Sequence, residues 1–195
     1  MTAQPLTMEP TDVELMSRLA AGDDLALNAL MARWRDRIAS FLFRMTAHSA
    51  TAADLTQETF VNLYQARHRY RPDGKFSAWL FTIAANVSRH HARWQSRHPT
   101  VSLDPKFDSG LLLAELIDPG QTPEEAAATS ECLSAVHQAF QSLPADLREA
   151  MSLFIYEDMS YVMVATVTGC SAKAAEMRIY RARQSLKVQL KDIRS

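Results

Sequence analysis

The 195-residue chain is 47% hydrophobic and 22% charged, the balance of an ordinary globular protein with material for one medium core or two small ones. Five glycines and eight prolines are few for an all-β fold, which needs a turn in every strand pair. No long apolar run and no basic-then-apolar leader occurs, and Cys132 and Cys170 stand alone, which argues against a membrane span, a secretory signal and a disulfide framework; a reducing cytoplasm is the expected compartment.

The formal net charge of −1 conceals a strong asymmetry. Residues 67–97 hold seven Lys/Arg against one acid, Asp73, and residues 171–195 hold seven against Glu176 and Asp192. Between them, residues 98–127 hold one lysine and six acids. Two basic regions flanking an acidic stretch suggest two places that meet a polyanion, although solvated helix faces would carry the same charges.

In chain order, Thr11-Asp12-Val13-Glu14 reads as a capping box for a short helix that stops at Ala21-Gly22. Asp23 or Asp24 can cap a second, long helix. In it Leu27, Leu30, Met31, Trp34, Ile38, Phe41, Leu42 and Met45 recur at steps of three and four, one amphipathic face. A third helix is expected to start at the capping box Thr51-Ala52-Ala53-Asp54 and to bury Leu55, Phe60, Leu63 and Tyr64. Arg71-Pro72-Asp73-Gly74 predicts a turn, and a further helix runs over about 77–97.

Residues 98–121 change character: Pro99, Pro105, Pro119, Gly110 and Gly120 interrupt any long helix, with room for a short ordered piece at 111–117. Thr122-Pro123-Glu124-Glu125 then supplies an N-cap, a first-turn proline and acids at the positive end of a helix reaching Ser142. Pro144 opens another, to about Tyr156. Residues 160–168, Gly169-Cys170-Ser171 and 172–190 read as helix, tight turn, helix. The expected fold is all-α, two small helical domains joined by a flexible linker: an N-terminal bundle and a C-terminal four-helix domain.

Three constellations carry chemistry. In the C-terminal one, Val164, Ala165 and Val167 bury the first helix, Gly169 suits a left-handed stop, and Ser171 can cap the next helix. Ile179 and Leu186 would lock that second helix down as the recognition helix of a helix-turn-helix. Ala172, Lys173, Ala174, Glu176 and Met177 would then face base edges, with Ser171 beside them in the DNA-binding set, and Arg178, Arg181 and Arg183 would neutralise phosphates. In the second constellation, Asp54, Gln57, Glu58 and Val61 share a helix face with Asn62 beside them; an acidic-amide face on a basic domain suits a protein partner better than phosphate, or simply complements the helix dipole. In the third, Tyr70-Arg71-Pro72-Asp73-Gly74-Lys75-Phe76 and the following helix interleave cations with aromatics, as single-stranded DNA requires. Trp79, Leu80 and Ile83 are assigned to the core; Tyr70, Arg71, Asp73, Lys75, Phe76 and Asn86 to DNA.

Leu143-Pro144, Glu157-Asp158-Met159-Ser160-Tyr161, Ala165, Gly169, Ser171 and Arg178-Ile179-Tyr180-Arg181-Ala182-Arg183 resemble the last domain of the extracytoplasmic-function sigma factors of the sigma-70 family. Asp54 to Tyr64 and the Phe-x-x-Trp-Leu-x-x-Ile-Ala-x-Asn pattern from Phe76 to Asn86 resemble that family's polymerase-docking and −10-reading segments. The resemblance covers about 11–97 and 124–191. It implies sigma region 2 over 11–97, a linker over 98–121 and sigma region 4 over 122–195. It further implies docking of Asp54, Gln57, Glu58, Val61 and Asn62 on the β′ clamp helices of core RNA polymerase, and of the last domain near the β flap. By the same resemblance the loop 71–76 captures a base flipped from the −10 element and Asn86 lines its pocket, with Arg89, His90, Arg93 and Arg97 on the adjacent duplex. The helix-turn-helix would read the −35 element, and an anti-sigma factor would hold the free protein inactive. Val162 and Met163 replace an acidic pair usual in the family, and Glu176 stands where a basic residue is common, which leaves the −35 sequence open.

Other readings explain less. Adjacent His90-His91 point about 100° apart on a helix and chelate poorly, and neither cysteine has a partner at zinc-finger spacing, so no metal and no cofactor is expected. A small helical enzyme would need a nucleophile–base pair or phosphate loop that the sequence does not display. A stand-alone helix-turn-helix regulator is the main alternative, but it leaves the Asp54 face and the aromatic-basic segment unused.

Overall fold

The computed structural model describes residues 9–72, 74–98 and 123–191, with backbone alone for 123–128. The described residues form helices without strands, so the expected all-α class holds. The short piece expected at 111–117, like Thr122 and the loop residue Asp73, lies outside the described residues.

Helix α1 (Asp12–Ala20) opens on the expected capping box: the Thr11 hydroxyl accepts from the Glu14 amide at 3.3 Å, and the Glu14 carboxylate accepts from the Thr11 amide at 2.7 Å. Helix α2 (Leu25–Thr46) has Asp24 at its N-cap position without a side-chain bond there, and the Asp23 carboxylate one residue earlier accepts the Leu25 amide at 3.1 Å. Ala47 closes α2 in the left-handed conformation (φ 60°), and His48, extended, begins helix α3 (Ser49–Gln65). The capping box expected at Thr51 is therefore not a helix start. The sharp reversal at Ala47 starts α3 earlier and leaves Thr51 and Asp54 inside it. A turn of 3-10 helix (Arg67–Arg69) and the loop after it lead into helix α4 (Phe76–Arg97).

Leu30, Trp34, Ile38, Phe41 and Leu42 of α2 are buried against Leu55, Phe60 and Leu63 of α3 and Leu80, Phe81 and Ala84 of α4. Phe81 meets Phe41 edge-on at 5.4 Å and Trp34 at 6.3 Å, a geometry that adds about 0.5–1.5 kcal/mol per pair to the area buried. The apolar stripe of α2 thus builds the first core.

The second core belongs to α5 (Pro123–Gln141), α6 (Ala145–Ile155), α7 (Tyr161–Thr168) and α8 (Ala172–Gln189). Leu153, Met159, Val164, Val167, Ala175, Ile179 and Ala182 fill it, with Leu186 packed at its edge. Two described loop positions of this bundle adopt left-handed φ, Asp158 (50°) and Gly169 (66°); aspartate is one of the few side chains that tolerates it.

The two bundles also pack on each other, α7 on α4 and α6 on α2. At that seam the Arg44 guanidinium, 6% exposed, donates to the Ser152 hydroxyl at 2.7 Å and to the Glu157 carboxylate at 3.0 Å. Glu157, only 3% exposed, accepts from Arg37 at 3.0 Å through its other oxygen. The Arg44 guanidinium also stacks 4.1 Å over the Tyr156 ring, and its backbone carbonyl accepts from the Gln141 amide at 3.0 Å. Two charges so deep in protein persist only because each satisfies the other; removing one partner of such a pair typically costs about 3–5 kcal/mol.

Candidate nucleic-acid interface

The α3 face is built by helical periodicity. Leu55, Thr59, Phe60 and Leu63 point inward, and the opposite side leaves Asp54, Gln57, Glu58 and Val61 exposed with Asn62 half-buried. Val61 is 53% exposed on this otherwise polar strip, an apolar contact offered to solvent in the isolated chain. The internal hydroxyls of Thr56 and Thr59 bond back to the carbonyls of Ala52 and Leu55 at 2.7 Å, so they add no outward polarity.

Between α3 and α4 lies a cleft of about 550 Å³, lined by Glu58, Asn62, Arg69, Asn86 and His90 among others. It joins the acidic-amide face of α3 to the basic side of α4. Arg69 and Gln65 enter this lining without having stood out in the sequence, because only the folding of α3 against α4 brings them to Asn86. None of the described residues among 70–76 lines the cleft. Asn86 is ten residues into α4 from Phe76, roughly 15 Å along the axis, so the loop and the Asn86 amide form two separate places.

The loop itself is presented on an aromatic support. Tyr70 packs edge-on to Phe76 at 5.9 Å and lies 5.1 Å from Trp79, while Phe76 meets Trp34 at 5.6 Å. Arg71, Pro72, Gly74 and Lys75 are exposed above it. Phe76, assigned to DNA from sequence, is 4% exposed, so that assignment is corrected: it props the loop from beneath and has no face to offer a base. Trp79 and Ile83 are half-buried and Leu80 fully buried, the core role expected of them.

Helix α4 carries no carboxylate from Phe76 to Arg97. His90 and Arg93 are exposed, as is Arg97 in the last turn, where the negative helix end favours a cation. Trp94, 49% exposed, stacks between His91 and His98, with ring centroids 6.5 and 5.0 Å away. Arg89 is differently placed. It donates to the Val167 carbonyl at 3.0 Å and pairs with Glu149 at 3.4 Å, both from the C-terminal bundle.

In the helix-turn-helix, Ser160 caps α7 through the Met163 amide at 3.3 Å, and Ser171 caps α8 through the Ala174 amide at 3.2 Å. Gly169 (φ 66°) makes the turn, and a Cβ built there meets nothing within 4 Å. Gly169→Ala therefore tests backbone strain alone; a cost of about 1 kcal/mol, read by calorimetry as a melting point roughly 2–4 °C lower, is the expected result. Cys170, half-buried beside the Thr168 hydroxyl at 3.1 Å, fills the turn. Lys173, Met177, Arg181 and Arg183 are exposed on α8, Ala174 and Glu176 less so. Lys173 pairs with Glu176 at 2.9 Å. Arg183 lies 4.9 Å over Phe154, and Arg178 turns back to Asp146 at 3.4 Å, so neither guanidinium is wholly directed outward.

Among the described residues no cluster of three His, Cys, Asp or Glu side chains could hold a metal, and no helix is long and apolar enough to cross a membrane.

The chain matches the family model for sigma-70 region 2 over residues 30–98 and that for sigma-70 region 4 over residues 133–186. It is 33% identical to the RNA polymerase sigma-H factor of Pseudomonas aeruginosa, over 93% of this chain and 94% of that protein. It is likewise 33% identical to the ECF RNA polymerase sigma-E factor of Escherichia coli strain K12, over 90% and 92% of the two chains. The structure of CnrH in complex with the cytosolic domain of CnrY superposes with a TM-score of 0.67 at 28% identity, over 93% of this chain and 97% of CnrH. The fold is also that of the sigma factor RpoE, solved in complex with the anti-sigma factor NepR from Bartonella quintana, at a TM-score of 0.65 and 22% identity over 84% and 96% of the chains.

Both promoter-reading modules of one family, in order on one chain, define a transcription initiation factor: the chain belongs to the sigma-70 family of RNA polymerase sigma factors, in its extracytoplasmic-function branch. Its task is to direct RNA polymerase to specific promoters, and it is not an enzyme. A stand-alone regulator would need only the second of the two modules.

Proposed function

We propose that residues 11–97 act as region 2, residues 98–121 as the linker and residues 122–195 as region 4, each with its own surface in initiation. Region 2 docks on the β′ clamp helices through Asp54, Gln57, Glu58, Val61 and Asn62. It engages the −10 element through Tyr70, Arg71, Asp73, Lys75 and the α4 residues Asn86, His90 and Arg93, with Arg89 joining them once released from the C-terminal bundle. Region 4 sits near the β flap and reads the −35 element through Ser171, Lys173, Ala174, Glu176 and Met177, while Arg178, Arg181 and Arg183 answer the phosphates. The observation that carries this division is the contrast between neighbouring helices: α3 exposes an acidic-amide strip, and α4 exposes cations with no carboxylate among them. Carboxylates next to a polyanion would be repelled, so α3 suits protein and α4 suits DNA.

In the promoter complex the cations of α4 hold the backbone while the loop at 71–75 receives unstacked bases; extruding a base costs a few kcal/mol, which contacts in the assembled complex offset. The protein acts in the cytoplasm, with the polymerase. CnrH and RpoE of Bartonella quintana were each solved with a bound partner, the latter an anti-sigma factor, and a partner of that kind is proposed for this chain too. Runoff transcription tests the reading: with a compatible core polymerase the chain yields a promoter-specific transcript, and without the polymerase it does not melt that promoter. A chain that shifts promoter duplex equally well alone, and never supports a transcript, would return the stand-alone regulator to first place.

A further inference from the structure

We propose that Trp94, clasped between His91 and His98 at the end of α4, is a further promoter contact that grips the spacer duplex upstream of the −10 element, together with Arg97. The inference rests on the assignment of α4 to the −10 element and extends it to DNA outside both elements. Every residue from Ala92 to His98 is exposed, so the last turns of α4 stand clear of the core. The last residue of α4 buried in that core is Val87, so the indole at Trp94 serves no packing there. It is nevertheless held in one orientation. His98 stacks on it with centroids 5.0 Å apart and planes at 22°, and His91, from the preceding turn, with centroids 6.5 Å apart and planes at 28°. His98 is fixed in turn, because its Nδ1–H donates to the Trp94 carbonyl at 3.1 Å.

The surroundings of the ring point to a polyanion. At about 100° per residue, Asn86, His90, Arg93 and Arg97 share an arc of about 60° on α4, and Trp94 lies about 40° beyond His90 at its edge. The ring thus borders a strip of exposed cations on a helix that has no carboxylate. Its distance from the loop decides which DNA it meets. Trp94 is eighteen residues past Phe76, roughly 27 Å along the axis, the length of about eight base pairs of B-form DNA. A contact so far from the base-receiving loop falls on DNA that is still paired. The chain continues from this end of α4 toward the module assigned to the −35 element, so the contact lies on the spacer side. Paired bases offer no free face for stacking, and the indole N–H, a donor only, bonds a phosphate oxygen instead. The ring lies along the sugar edge and Arg97 takes a neighbouring phosphate. Because the two imidazoles already hold the indole in place, little side-chain freedom is lost on binding.

The test uses the full chain assembled with core polymerase and two promoter fragments that both lack the −35 element. In one the duplex stops at the upstream edge of the −10 element; in the other it continues upstream for roughly ten base pairs, enough to reach Trp94. Fluorescence anisotropy of the labelled DNA gives the affinities. Trp94→Ala should weaken binding of the longer fragment about tenfold, what one hydrogen bond to a charged group amounts to, and leave the shorter fragment unchanged. Trp94→Phe, which keeps the stacked ring but not the N–H, should fall between Trp94→Ala and wild type. Equal losses on the two fragments, or no loss on either, overturn the spacer contact. So does a Trp94→Ala chain that binds core polymerase more weakly before any DNA is added, since the ring would then face protein. A wild-type complex indifferent to scrambling of the −10 sequence removes the assignment of α4, and this inference with it; normal −10 discrimination with an unaffected longer fragment removes the inference alone.

Discussion

Replacing Asp54 and Glu58 together by lysine is expected to cut affinity for core polymerase by at least about a hundredfold while leaving the fold intact. Both side chains are exposed on α3, with the core-forming Leu55, Phe60 and Leu63 on the other side of the helix. Exposed substitutions of this kind usually move stability by no more than about 0.5 kcal/mol, so the melting curve should scarcely change. Binding is another matter, because reversing two charges sets like charge against like, at a cost of several kcal/mol; about 2.7 kcal/mol already corresponds to a hundredfold. The Asp54→Ala and Glu58→Ala variants separate attraction from repulsion: each should weaken binding modestly and mainly through the association rate. Titration of a labelled chain with core polymerase measures all four proteins. Unchanged affinity in the double lysine variant would move the docking surface off α3.

The second large effect is expected on the recognition helix. Arg181→Ala should weaken binding of region 4 to −35 duplexes by about 1–3 kcal/mol, uniformly across sequences, and lower the slope of log K against log salt by about 0.9. Arg181 is exposed on α8, whereas Arg178 is drawn toward Asp146 and Arg183 toward Phe154, so their loss should cost less. Lys173→Ala should behave differently. Lys173 lies in the first turn, two residues after the Ser171 cap and paired with Glu176 at 2.9 Å, where side chains of a recognition helix reach base edges. Its removal frees Glu176 to accept from a base such as cytosine, so the preferred −35 sequence should change as well as the affinity. Selection from a randomised −35 library reads out both. A sequence preference identical to wild type after Lys173→Ala would place base reading elsewhere on α8.

The departures at Val162 and Met163 acquire a physical meaning in the structure. Val162 is 66% exposed on α7, and Met163 is half-buried against the core. An acid at Val162 would stand on the outside of the helix-turn-helix, and its absence lowers the negative charge beside the surface proposed to face DNA.

Much of this protein is written locally. The capping box at Thr11, the left-handed stop at Gly169 and the serine cap at Ser171 follow from side chains within three residues of the groups they satisfy, and all three form. Apolar steps of three and four along residues 25–46 determine which face of α2 is buried, because helical geometry leaves no other arrangement. The same periodicity turns Asp54, Gln57, Glu58 and Val61 outward together. Where two local signals competed, the reading failed: Thr51 and Asp54 have the spacing of a capping box, but the reversal at Ala47 starts the helix before them.

What only the tertiary structure decided is which residues meet across distance. Phe76 sits under Trp34, Arg69 comes to face Asn86 across a cleft, and Arg178 is spent on Asp146. Above all, Arg44 and Glu157 stand 113 residues apart in the chain, and each alone reads as an ordinary surface charge. Helix periodicity constrains partners a turn away, but the pairing of buried charges depends on how two finished bundles dock. The motifs of the two modules could thus be recognised residue by residue, while the seam that joins them, where Arg89 meets Glu149 and the Val167 carbonyl, exists only in the folded chain.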